Sequence, residues 1–432
     1  AQAVAKSQMA VANSQLDKAQ AEYKQTGATV RAENTAKAVQ QAQAEYDRAV
    51  VSGNTEQISA AGAKLEAAKD ANVQAQVIRD NANANVTLAK ARQNEAKAEA
   101  AYQAAVASGN PTVQAAAKAD LDSAKNSVTQ AAAARNAVSA SGKVEMAQRD
   151  VANAKSALTK AEAGGNKAQI DAAKANLATA QQGARAAVAA ERVAVSAAGV
   201  VSAKQGQATA SANYQAAMQS GSKQEQAVAK ANLDAANSGV DLANAQHKAA
   251  VADNNVTTAM QNAQRAEAAY HQASGSEKAV AKAQMETAQS AVQVAKAEQV
   301  VAHAGVQVAA ANQNKAMAQA EFQSAPTQQG REAAKRNHGT SSMDAHAYAG
   351  AQSRARANAD VAHAEHAVAQ AKVEQATAKT SSAREIASSK VEAAQAGVVQ
   401  AKSAQQAVEA KTKMETANRA VDAARTKYAA TS

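Results

Sequence analysis

The sequence predicts an all-α protein of tandem antiparallel helical hairpins, with a repeat of about 56 residues and Ala-rich coiled-coil packing, in an elongated rod or bundle. Three observations predict it. Tyr46, Tyr102, Leu158, Tyr214 and Tyr270 fall 56 residues apart, and Leu65, Leu121, Leu177 and Leu233 keep the same period. The first four members of the first column are each followed, seven residues on, by a glycine: Gly53, Gly109, Gly165 and Gly221. Between glycines, apolar residues step by three and four, as in Ala117, Leu121, Ala124, Val128 and Ala131, the seam of a heptad coiled coil.

The elements follow in order. Residues 1–45 read as a partial N-terminal repeat, in which Leu16 and Tyr23 set a seven-residue spacing. Five hairpin repeats come next, at 46–101, 102–157, 158–213, 214–269 and 270–321. Their tips are Gly53-Asn54, Gly109-Asn110-Pro111, Gly165-Asn166, Gly221-Ser222 and Gly275. Glycine tolerates the left-handed conformation that closes a helix, and the Asn or Ser beside it can accept from the free N–H groups of the next one. Pro111 stands at the first helical position, where a missing N–H costs nothing. Gln57, Gln169 and Glu225, three residues past their caps, fit a capping box.

In the fifth repeat Tyr270 precedes its glycine by five residues, and Met285 replaces leucine ten residues beyond it. Two residues have gone from each side, a change that two paired arms of a hairpin tolerate. The Tyr and Leu columns, with Leu158 and Met285 as variants, are the predicted core plugs beside each tip.

About 30–34 residues after each tip lies a patch of helix breakers: Asn83/Asn85, Ser141-Gly142, Gly199, Asp253-Asn254-Asn255 and Gly305. As second turns they would divide each repeat into helices of about 28 and 20 residues. Left inside a helix they would give spans of about 50 residues and ~75 Å. The breaker chemistry favours a turn or kink.

The last part, 322–432, diverges. Phe322 opens it, and 326–366 holds Pro326, Gly330, Gly339 and Gly350 among basic residues. This segment reads as an irregular linker or cap. Arg331, Lys335, Arg336, Arg354 and Arg356 are its candidate partner site. A final helix repeats the early spacing at Val421 and Tyr428.

Composition narrows the function classes. The 432 residues include one Phe, seven Tyr, no Trp and no Cys, so no large-residue core, disulfide or thiolate metal site is available. The net charge of +10 comes from 47 basic and 37 acidic residues interleaved throughout, which disfavours a nucleic-acid partner. No stretch approaches 18 apolar residues without charges, so no bilayer span is expected, and alanine methyls disfavour a membrane-surface role. The opening at Ala1 fits a processed chain or a fragment.

Catalytic patterns are missing: there is no GxSxG, no phosphate loop and no Gly-rich loop after a strand. His363 and His366, with Glu365 between them and His346 upstream, match neither HExxH nor HxxEH and read as solvated side chains. No cofactor, metal or small-molecule substrate is expected. Thr residues keep no 11-residue period, against ice binding.

Two resemblances carry further expectations. Ala44-Glu45-Tyr46, Gly53-Asn54 and Leu65-Glu66-Ala67-Ala68-Lys69 together resemble the hairpin tips of periplasmic adaptor proteins of bacterial export systems. Those proteins add barrel domains, whereas nothing here reads as a strand. The alanine bias and heptads of the whole chain resemble alanine-rich α-helical coiled-coil structural proteins, such as helical silks of some insects or repetitive stalks of bacterial surface proteins. That likeness implies an extracellular or cell-surface, load-bearing or spacing role, with self-association or other helical chains as partners. Two alternatives stand beside it: a binding module with the array as spacer and its site in 326–366, and a desiccation-protective solvating protein.

Overall fold

In the computed structural model, which describes residues 2–220, 222–275 and 277–431, the described residues form eight long helices and no strand. They are α1 (Gln2–Ser52), α2 (Thr55–Ser108), α3 (Pro111–Gly164), α4 (Lys167–Ser220), α5 (Lys223–Gln272), α6 (Glu277–Ser324), α7 (Gln328–Thr377) and α8 (Ser381–Thr431). At 1.5 Å per residue they run about 72–81 Å.

The expected mid-repeat turns are not there. Every breaker patch lies inside a helix, so one 56-residue period is one helix and one turn, and hairpins form between successive periods. At every patch but Gly199, which has open space around it, the reason is packing at the helix midpoints. Gly142 lets α3 approach Val77 of α2 so closely that a Cβ there would sit 2.5 Å from a Val77 methyl carbon. Asn83 accepts a bond from Gln25 at 2.9 Å, Asn85 from Arg135 at 2.6 Å, and Asp253 from Gln299 at 2.8 Å. An interior glycine costs a helix only about 1 kcal/mol, which these contacts offset.

The segment 326–366 is likewise helical from Gln328 onward, and only Ala325-Pro326-Thr327 breaks the chain there. Gly330 sits in the first turn, where Thr327 caps α7, and Gly350 packs against Thr412 of α8.

Two compact units make up the chain, Ala1–Gln205 and Gly206–Ser432, with the boundary inside α4. In the first, α2 packs against both α1 and α3, and Ser141 of α3 donates to Glu191 of α4. In the second, α6 packs against α5 and α7, and α7 against α8. Gln207, on the last part of α4, donates to Asn237 of α5 at 2.8 Å.

Alanine makes the core. Among the described buried apolar residues, all but Leu65, Val86, Leu88, Leu121, Val144, Val240, Val256 and Val292 are alanine. A seam without bulky side chains brings two backbones close along its whole length, so dispersion contacts accumulate where single side chains contribute little. Burial stays shallow all the same: the chain keeps 25438 Å² accessible, where a compact monomer of this mass keeps roughly 15,000 Å².

Candidate functional site

The glycine turns share one construction. Gly53, Gly109 and Gly165 have φ of 69°, 69° and 68°, and each N–H returns to the carbonyl three residues back at 3.2 Å. The following Asn54, Asn110 and Asn166 each accept two backbone N–H bonds through Oδ1. Gln57 does not complete a capping box: Ser52 Oγ donates to its Oε1 at 3.1 Å and itself receives the Asn54 N–H. The tip expected at Gly221 lies outside the described residues. Ser222 beside it caps α5 by accepting from the Glu225 N–H at 3.3 Å. Gly275, with φ of 58°, sits in a longer turn after the extended Ala273.

A second turn type joins the last helices. Ala325-Pro326-Thr327 and Ala378-Lys379-Thr380 contain no glycine. Thr327 and Thr380 cap α7 and α8 by accepting N–H bonds from Gly330 and Ala383, each at 3.2 Å. Four residues past each threonine, Arg331 and Arg384 reach back to the carbonyls of Ala325 and Ala378, each at 3.2 Å. Both turns share the sequence pattern Ala-x-Thr-x-x-x-Arg, a signal independent of glycine spacing.

Of the predicted core columns, Leu65 and Leu121 are buried. Tyr46, Tyr102, Leu158, Leu177, Tyr214, Leu233, Tyr270 and Met285 are half-buried. Tyr46 lies over the bare backbone of Gly62 on α2, and Lys278 stands 5.4 Å from the Tyr270 ring centre.

The five basic residues of the expected partner site are all exposed on α7. They do not make one patch, since Arg331 and Arg356 are about 37 Å apart along the helix axis. Arg331 belongs to the turn. Arg356 instead joins an open groove of about 770 Å³ over the middle of α6, where Asp241 and Lys248 of α5 face Arg356, Asp360 and His363 of α7.

His363 pairs with Glu298 of α6 at 3.0 Å, and His366 meets Ser290 of α6 at 2.8 Å and Gln370 at 2.9 Å. Both histidines thus reach across to α6, His363 from an exposed position, as expected of a solvated side chain, and His366 from a half-buried one. Burial, and then the charge of His363, hold His366 below the ordinary histidine value. No group of three or more His, Asp or Glu side chains converges on a metal-sized point among the described residues.

Sequence reasoning missed one cluster. Arg149 of α3 donates to both Glu66 and Asp70 of α2, and Asn153 donates to Asp70 at 3.0 Å. Burial pushes the Glu66 carboxyl up. The hydrogen bonds and charges of Lys69 and Arg149 outweigh that and hold it below the usual range.

One helix also departs from expectation. By length and composition α4 is apolar enough to cross a membrane, since Lys167–Gln219 contains an 18-residue window of mean hydropathy 1.4. Glu191 and Arg192 interrupt its middle, so the helix holds no uncharged run of 18 residues.

No protein-family model matches the chain, and no curated protein is similar to it. The likeness to silks and bacterial stalks rests on the residues alone.

Proposed function

We propose that the protein is a non-enzymatic structural element, fibrous or displayed at a cell surface, that acts through helix length, stiffness and self-association. The observation that carries this reading is the investment of nearly the whole described chain in unbroken helices of about 50 residues, joined by turns of two to four residues. Such helices enclose little space and offer long, repeated polar faces. An extracellular or cell-surface location fits this role. The test is assembly of the intact chain: sedimentation and negative-stain imaging should show ordered oligomers that grow with concentration. A monomer at every concentration up to the millimolar range would overturn the proposal.

A second reading, a binding module, is favoured by the groove at Arg356. Its mixed charges and about 770 Å³ suit a polar peptide segment better than an apolar ligand. Replacing Arg356 and Asp360 by alanine should abolish capture of such a partner and leave helicity unchanged.

A further inference from the structure

We infer that the outer face of α1 is a docking seam for α8 of a second copy of this chain, so that copies add head to tail through the same antiparallel helix contact that joins neighbours within the chain. The inference rests on the self-association proposed above and assigns it a surface.

The first observation is a stripe of bulky side chains on α1. Met9, Leu16, Tyr23 and Val30 recur every seven residues and are 61%, 58%, 82% and 50% exposed. Ala12, Ala19 and Thr26 lie between them, also exposed, so the stripe steps by three and four like a coiled-coil seam. It is separate from the seam that α1 already uses against α2, which runs through Ala28, Ala32, Ala42 and Ala49.

The second observation is register. Moved on by one 56-residue period, the stripe falls on Leu65, Ala68, Asn72, Ala75, Arg79, Ala82 and Val86 of α2. That is the face α2 turns to the preceding helix: Asn72 meets Thr35 of α1 at 3.2 Å, and Leu65, Ala75, Ala82 and Val86 are buried. One period further, Leu121 and Ala131 of α3 are buried in the same positions, and Arg135 bonds back to α2. The exposed face of α1 is thus the repeat's own backward-facing seam, and a helix of this repeat is the shape it fits.

The third observation supplies that helix. On α8, Ile386, Met414 and Val421 share one heptad position and are 59%, 57% and 49% exposed. Ala393, Gln400 and Ala407 fill the column between them, and small residues stand three past its positions, at Ser389, Ala396, Ser403, Ala410 and Ala417. The α7-facing seam of α8, through Ala387 and Thr412, lies on the other side.

Laid antiparallel, the two stripes interlock large against small. Leu16 meets Ala417, Tyr23 meets Ala410, Met414 meets Ala19 and Val421 meets Ala12. Tyr46 over Gly62 and Val77 against Gly142 show the same large-on-small packing inside the first unit. A contact between two different faces does not pair as a two-fold dimer does; repeated from copy to copy, it builds a ring where the rotation closes and an open filament where it does not.

The absence of native cysteine makes the test clean. Single variants L16C and A417C are mixed under mild oxidation, and a third chain carries both. Head-to-tail docking predicts a covalent dimer from the mixture that outnumbers either homodimer at least tenfold, and a ladder of oligomers from the double variant. Leu16→Lys with Tyr23→Lys should weaken association at least tenfold at unchanged helicity.

Dominant L16C–L16C dimers, or a double variant that closes within one chain, would overturn the inference. So would undiminished association of the lysine variant. If the unmodified chain still assembles in those cases, the structural role stands and only the assigned surface falls.

Discussion

Val77 and Gly142 show how finely single residues are set in an alanine-rich contact. A methyl added at Gly142 has no room beside Val77, so Gly142→Ala should destabilise the first unit by about 1–3 kcal/mol, read from denaturant unfolding. Trimming the opposing side chain in the double variant V77A/G142A should restore most of that loss. Unchanged stability of the single variant would mean that the α2–α3 contact is looser than described. Charge is set as locally. The Glu66 carboxyl is held below its ordinary value, so the stability it lends is present above the unfolded-state pKa and fades as pH falls through the folded one. The stability gap between wild type and Glu66→Gln should therefore be open at neutral pH and shrink in acid. His366 loses stability in the same direction for a different reason: burial disfavours its charged form, so the unfolded chain takes up the proton first and acidification through the ordinary histidine range weakens the α6–α7 contact.

Helices and turns were legible to different degrees. The Gly-Asn turns could be read directly, because positive φ beside an N-cap side chain has a narrow chemical signature. The midpoint patches could not. Asn, Asp and Gly have the same local preferences whether they end a helix or let two helices touch, and only the partner across the interface decides between these. Arg135 and Gln299 are such partners, and nothing local marks them as belonging to Asn85 and Asp253. The Thr380 turn escaped for the opposite reason, having neither glycine nor proline. Paired substitutions separate the two uses of glycine. Gly199, inside α4 with open space around it, should accept alanine with a gain of about 0.5–1 kcal/mol. At Gly165, with φ of 68°, the same change should cost about 1–2 kcal/mol. Hydrogen exchange near each position checks both. The candidate interaction site was the least legible part, since its basic residues looked like one cluster in sequence but are spread along α7.

The whole chain exposes more surface than its mass requires, and unfolding therefore uncovers less new surface. Against an extended-chain reference the shortfall is about a fifth. Calorimetry should give a heat-capacity change per residue about that much below the ~12–15 cal/mol/K typical of compact proteins. A value at or above that range would contradict the shallow burial.

The midpoint bonds carry one more consequence. A seam of alanines looks almost the same after a shift of one heptad, so two such helices have little to stop them from creeping past each other. Gln25 with Asn83, Asn85 with Arg135 and Asp253 with Gln299 act as detents against that creep. A pull along one helix must break them before any slippage begins, and the three helix pairs they join then hold their length under load until they give way abruptly.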